Sequence, residues 1–436
     1  MITDLRKYFF LILLTIILFI PTRSCPQQYW LTLNSPTNRF LKECSFVDSL
    51  NGWAAGDSGT IIHTSNGGLN WVFQNANLGF EDVVSIFFLN ERLGWALSWD
   101  VTFDTNSYGT NILSTTNGGI NWEHVRYPED DIFINTILFV DSLTGFIGGY
   151  PGIFKKTTNG GLNWYQVQLD SSFFAGFPPS RFSFYNSQYG FACGGIMDIA
   201  GVIWRTTDFG ESWISSGVGP EPIFDVEIFN LTDALAVGGD LEYGPTVVRT
   251  TNSGTNWEYE TLQLFGTAYA VSFRTRTEGW APLGFQPGWA YTIDSGETWN
   301  TYSAPDSSNL YDVEFTDYRN GFAVGKKGVI KKFNSALINI SNNNQYLLPL
   351  EIRLYQNYPN PFNPVSKIKF YISKAADTKL IVYDILGREV MVLVNEQLKQ
   401  GLHEVEFNGS NLPNGLYFYQ LSSGEYCETR KMILLK

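Results

Sequence analysis

Histidine is almost missing from this chain. Only His63, His124 and His403 occur among 436 residues, in different repeats or modules, which leaves no His-rich metal centre and no Ser-His-Asp triad to read. Cysteine is equally sparse. Cys25, Cys44, Cys193 and Cys427 lack C-x-x-C spacing, so no zinc site is indicated, and their spacing specifies no disulfide pair. Positive charge is short as well, with 29 Lys and Arg against 42 Asp and Glu. Residues 1–24 carry three bases and one acid, residues 349–436 ten bases and nine acids, and the stretch between them 16 bases and 32 acids. Such an acidic body repels a phosphate backbone, which sets nucleic acid aside as a partner. There is no G-x-S-x-G elbow and no phosphate-cradling glycine loop. No catalytic residue, metal ligand or cofactor is therefore expected.

The longest apolar run, Tyr8 to Ile20, follows Arg6 and Lys7 and ends at Pro21. It falls short of the roughly 20 residues a membrane-spanning helix needs. Thr22-Arg23-Ser24 supplies small residues for cleavage before Cys25, so residues 1–24 read as a secretory signal peptide. The alternative is a lipoprotein anchored through Cys25, which Thr22-Arg23-Ser24 fits poorly.

What the chain has in quantity is a repeat. TSNGGLNW (Thr64 to Trp71) returns as TTNGGINW (Thr115 to Trp122), TTNGGLNW (Thr157 to Trp164), TTDFGESW (Thr206 to Trp213), TTNSGTNW (Thr250 to Trp257) and TIDSGETW (Thr292 to Trp299). A spacing of 42 to 51 residues between the tryptophans suits a four-stranded propeller blade. Upstream of each octapeptide stands a Gly-aromatic segment such as Gly52-Trp53-Ala54 or Gly190-Phe191-Ala192, degraded in the fifth unit to Asp233-Ala234-Leu235. A seventh, Gly321-Phe322-Ala323, has no octapeptide after it, while Tyr29 to Leu33 is a strand with none before it. Pairing these two remnants closes a ring of seven blades and removes an open edge. Within the octapeptides, Asn66, Asn117, Asn159, Asp208, Asn252 and Asp294 read as turn formers, and Trp71, Trp122, Trp164, Trp213, Trp257 and Trp299 as packing beneath the turn. A catalytic acid would not tolerate the exchange of Asp for Asn.

These octapeptides resemble the Asp-box, Ser/Thr-x-Asp/Asn-x-Gly-x-x-Trp, of sialidase-like (BNR) repeats. The whole unit is similar to the photosystem II stability and assembly factor-like propellers over about residues 27–335. That resemblance implies the fold. Sialidases on this fold use an Arg-Ile-Pro motif that is absent here.

After a polar linker at 336–349 the repeat stops. Residues 350–436 hold six or seven short strand patterns separated by turns such as Pro413-Asn414-Gly415, as in a small Ig-like β-sandwich. Tyr358, Pro359, Asn360, Pro361, Phe362, Asn363 and Pro364 (YPNPFNP), with VYDILGREV (382–390), LPNGLYFY (412–419) and the terminal KMILLK, closely resemble the type A C-terminal sorting domain of type IX secretion. The resemblance implies the type IX machinery as a partner. It also implies periplasmic transit, then release or attachment at the outer-membrane surface. The expected architecture is all-β: a signal peptide (1–24), a seven-bladed propeller (25–335), a linker (336–349) and a sorting domain (350–436).

Two sets of residues are candidates for binding. Loops between blades, and between the second and third strands of a blade, share one face of a propeller, opposite the Asp-box turns. The longest of them carry Trp99, Phe103, Tyr108, Phe173, Phe174, Phe177, Tyr243 and Phe285, flat apolar groups suited to a glycan or an extracellular protein. The position just before the octapeptide holds Lys156, Arg205, Arg249 and Lys332, which suggests either an anion-binding arc or local salt bridges between blades. The expected function is non-catalytic recognition. The alternatives are a glycoside hydrolase with acids converging in the central pocket, and an assembly or chaperone-like factor.

Overall fold

The computed structural model describes residues 29–101, 108–304, 306–336, 353–354, 357, 359–372, 376–399, 401–423 and 426–436. The expected signal peptide, Cys25, Phe103, Tyr358 and all of the linker but Ala336 lie outside them. The chain divides after Ser335 into two compact units.

In the first unit the described residues form seven sheets, each with four antiparallel strands that run outward from the channel. Six follow chain order, the fourth of them also carrying Gln168–Leu169 in parallel on its outermost strand Ser212–Gly219. Their first strands are Leu41–Phe46, Asp82–Phe88, Phe133–Phe139, Pro179–Phe184, Ile223–Ile228, Ser272–Phe273 and Leu310–Phe315. Each first strand touches the next, and the seventh touches the first, so the sheets close into a ring. The closing sheet is built from both ends of the unit: Trp30, Leu31 and Thr32 pair with Phe333, Lys332 and Lys331. Trp30 is fully buried there, stacked on Trp289 with ring centroids 4.3 Å apart.

The Gly-aromatic segments explain how neighbouring sheets fit. Each opens a second strand, and its glycine faces the last Phe of the first strand: a Cβ on Gly94 would lie 2.4 Å from the Phe88 ring. The following aromatic then stacks on the Phe of the next sheet, as Trp53 does on Phe88, Trp95 on Phe139 and Phe322 on Phe46, at 3.6, 3.6 and 3.9 Å. In the fifth unit Ala234 replaces the glycine, and its partner is Ile228 rather than Phe. The degraded repeat is thus a paired exchange.

The octapeptide forms the turn between third and fourth strands six times with one wiring. The Gly68 N–H donates to Thr64 Oγ1 (2.9 Å), the Thr64 hydroxyl to Asn66 Oδ1 (3.0 Å), and the Asn70 N–H to the same Oδ1 (2.9 Å). The other five turns repeat these bonds from Thr115, Thr157, Thr206, Thr250 and Thr292. The recurring bonds use one oxygen, which Asn and Asp supply equally.

The second unit contains two sheets, one of Arg353–Leu354, Val365–Ile372 and Gly401–Asn408, the other of Ala376–Tyr383, Glu389–Leu398, Gly415–Ser423 and Tyr426–Leu434. Both contribute to one core, with Phe370 and Phe407 from the first and Leu380, Tyr419 and Met432 from the second. The proline-rich motif fastens the C-terminal strand. Phe362 is buried and exchanges backbone bonds with Ile433 and Leu435, while Asn360 Oδ1 accepts the Ile433 N–H.

Candidate functional site

The seven first strands line a central channel with a cavity of about 450 Å³. A β-bulge near the start of six of these strands sets which side chains enter it. Nine residues before each second-strand glycine (or Ala234) stand Glu43, Ser85, Thr136, Arg181, Asp225, Ala270 and Asp312. Two residues further on come Ser45, Phe87, Leu138, Ser183, Glu227, Ser272 and Glu314. The lining therefore holds five carboxylates and one guanidinium, and three of the five contact it. Arg181 reaches Glu43 at 3.1 Å, Asp312 at 3.2 Å and Asp225 at 3.5 Å, across the ring.

Most of these acids also stitch one sheet to the next. Glu43 accepts the Ile86 N–H, Asp312 that of Cys44 and Glu314 that of Phe46, each at 2.8 Å, and Asp225 accepts that of Val271 at 2.9 Å. Among the described residues no hydrogen bond reaches the Glu227 carboxylate. Burial, and then the neighbouring Asp225, push its pKa up to about 8. Burial likewise pushes Glu314 up to about 8 despite its bond from Phe46.

One step earlier in each first strand is the bulge position, at the mouth on the loop face. Three consecutive sheets place Phe224, Tyr269 and Tyr311 there. Tyr269 lies 4.9 Å from Phe224 and stacks at 5.3 Å on Tyr311, which packs 4.6 Å from Phe40. Phe285 meets Tyr269 and Tyr311 edge-on and carries the Lys326 ammonium 4.5 Å from its centroid. These rings form an aromatic arc above an acidic channel. Sequence reading found only Phe285 of this set. The fixed offset from the Gly-aromatic segment was the signal that could have found the rest.

The other expected loop residues divide. Phe173 and Tyr243 are exposed. Phe177 is buried, and Phe174 packs over Gly217 in a cluster with Phe173 and Phe177, so these two hold their loop down. Trp99 is half-buried, donating its indole N–H to Ile134 O at 2.8 Å, and Tyr108 is half-buried. Several expected loops are tight hairpins: Gly190–Ile196 and Ala200–Thr206 leave three turn residues between them, as do Ala234–Asp240 and Gly244–Thr250.

The four cations before the octapeptides have specific partners, each a carbonyl in the Asp-box turn of the next sheet. Lys156 donates to Phe209 O, Arg205 to Ser253 O, Arg249 to Gly296 O and Lys332 to Gly67 O. Lys156 and Arg249 also pair with Glu211 and Glu260. They are stitches around the ring, the Lys332 bond crossing the closure.

Residues 96–223 match the family described as photosynthesis system II assembly factor YCF48, and residues 356–435 the secretion system C-terminal sorting domain. Among curated proteins none matches. Among solved structures the chain is similar to YCF48 bound to D1 peptide, at 18% identity and TM-score 0.56, covering 70% of this chain and 97% of that one. YCF48 from Cyanidioschyzon merolae gives 19%, 0.54, 71% and 99%. The GH74 xyloglucanase from Xanthomonas campestris gives 11%, 0.53, 86% and 63%. At these identities the likeness is one of fold. The chain carries a YCF48-like β-propeller and, behind it, a type IX secretion C-terminal sorting domain that marks it for export.

Proposed function

We propose that the propeller is a non-catalytic binding module, exported by the type IX system, that takes an extended segment of another protein at the aromatic mouth of its channel. The observation that carries this reading is the arc of Phe40, Phe224, Tyr269, Phe285 and Tyr311, with Phe285 half-exposed, on the face opposite the Asp-box turns. Rigid aromatic faces give a ligand large contact at small entropic cost. The peptide-bound state of the YCF48 relative supports a peptide as ligand. Most of the channel acids are engaged in joining sheets, which supports binding over chemistry.

A second reading, glycoside hydrolysis, draws on Glu227, whose raised pKa suits a general acid. One experiment separates them: the purified full chain is applied to peptide and glycan arrays, with product analysis on every hit. Peptide binding without turnover, weakened at least about tenfold by Tyr269→Ala with Phe285→Ala at unchanged Tm, is the expected result. Cleaved glycan would replace this reading with the hydrolase.

A further inference from the structure

The sorting-domain motifs leave one segment that the core does not use. Phe362, Val382, Tyr417, Tyr419, Met432 and Leu434, one or two from each motif, are buried together in the second unit. Ile385 and Leu386, in the middle of the 382–390 motif, are instead 69% and 73% exposed. The described part of this unit exposes five large apolar side chains, of which the fifth is Leu435. The other four, Ile385, Leu386, Met391 and Val392, belong to one hairpin, built from Ala376–Tyr383 and Glu389–Leu398. The tip does not depend on them for its shape. Asp384 Oδ1 accepts the Leu386 and Arg388 N–H groups, each at 2.9 Å, and Oδ2 pairs with the Arg388 guanidinium at 2.7 Å. Gly387 closes the turn at φ +75°, a conformation glycine adopts without strain.

Glu389–Leu398 is also an edge of its four-stranded sheet. The opposite edge, Tyr426–Leu434, carries Glu428, Arg430 and Lys431, and the longer edge of the smaller sheet, Gly401–Asn408, carries Glu404 and Glu406. Charges of this kind guard a sheet edge against chance partners. From Val390 to Asn395 the hairpin edge has none. Two register shifts interrupt its pairing with Ala376–Tyr383, which disfavours the addition of a further strand and leaves contact to the side chains. The whole hairpin lies within residues 356–435, the match to a secretion system sorting domain, which makes a component of that system its partner. A lipid surface suits it poorly. The tip has no aromatic residue, its one base is paired with Asp384, and Glu389 follows. We propose that Ile385, Leu386, Met391 and Val392 form the apolar contact by which a protein of the type IX machinery recognises the sorting unit. This contact presupposes export by that system.

The test follows the full chain in a bacterium with a working type IX system and in the same strain without it, measuring the exported and periplasmic fractions. Ile385→Ser with Leu386→Ser removes the tip contact, Val392→Lys charges the edge, and Phe80→Ser, at an exposed apolar site of the propeller, is the control. The expected result is an exported fraction at least about tenfold lower in the tip variant and reduced in Val392→Lys, with the stranded chain at unchanged Tm and the control exported normally. Unchanged export in both hairpin variants would overturn the proposal. So would a loss matched by the control, or a lowered Tm in both variants. Binding of the parent chain to phosphatidylethanolamine and phosphatidylglycerol vesicles, lost in the tip variant, would assign the hairpin to lipid instead. Parent export that does not depend on the system would remove the export reading itself, and this contact with it.

Discussion

At the scale of single residues, chemistry decides which sequence signals are legible. Asn and Asp alternate in the octapeptides because one acceptor oxygen serves the recurring wiring, so turn chemistry alone predicted a structural role for Asn66, Asn117, Asn159, Asp208, Asn252 and Asp294. The channel acids were not legible in this way. Asp and Glu are common in the chain, and spacing along it does not report distance across a ring. Their electrostatics make a specific prediction. Burial raises the pKa of Glu227, beside Asp225, and of Glu314, near Asp312, Arg181 and Glu43, from 4.5 to about 8. A carboxyl protonated in the folded state and ionised in the unfolded one stabilises the fold at low pH, and that contribution is lost as pH rises through the folded pKa. Asp306, held down to about 2 by its hydrogen bonds from Lys331, Ser308 and Thr32 against the opposing effect of burial, acts oppositely, losing its contribution as pH falls toward 2. The Tm of the propeller should therefore fall from about pH 5 to about pH 8.5, and Glu227→Gln should flatten that slope. An unchanged slope in the variant would place the titration elsewhere.

At the scale of elements, the repeat fixed strand order but concealed register. The bulge adds one residue to the first strand, and only with it counted do residues nine before the Gly-aromatic glycine point into the channel. The loop aromatics were partly misplaced for a related reason: hairpin strands run further out than the turn signals suggested, and Phe174 and Phe177 fold back onto the fourth sheet. The contact between glycine and Phe is testable as a pair. Gly94→Ala forces its methyl into the Phe88 ring and should lower stability by about 1–3 kcal/mol. Adding Phe88→Ile, which reproduces the Ile228 and Ala234 pair of the fifth unit, should recover part of the loss in chemical denaturation. Equal losses in the single and double variants would show that the ring contact is not the cause.

At the scale of the whole molecule, two remnants of the repeat predicted the closing sheet, and Trp30 makes it firm. Deleting residues 29–33 opens an edge along Ile330–Phe333 and removes a buried indole, so the full chain should lose on the order of 10 °C in Tm and associate in light scattering. A monomeric variant with unchanged Tm would mean that the ring holds without this strand. The closure also orders events in time. Thr32 and Lys331 bond across 299 residues, so the first strand to be made waits for the last repeat before it has a partner. The sorting unit is synthesised only after that partner. Any chain that displays a complete export tag is therefore one whose propeller already has every strand it needs, and a product cut short within the repeats has neither a closed ring nor an address.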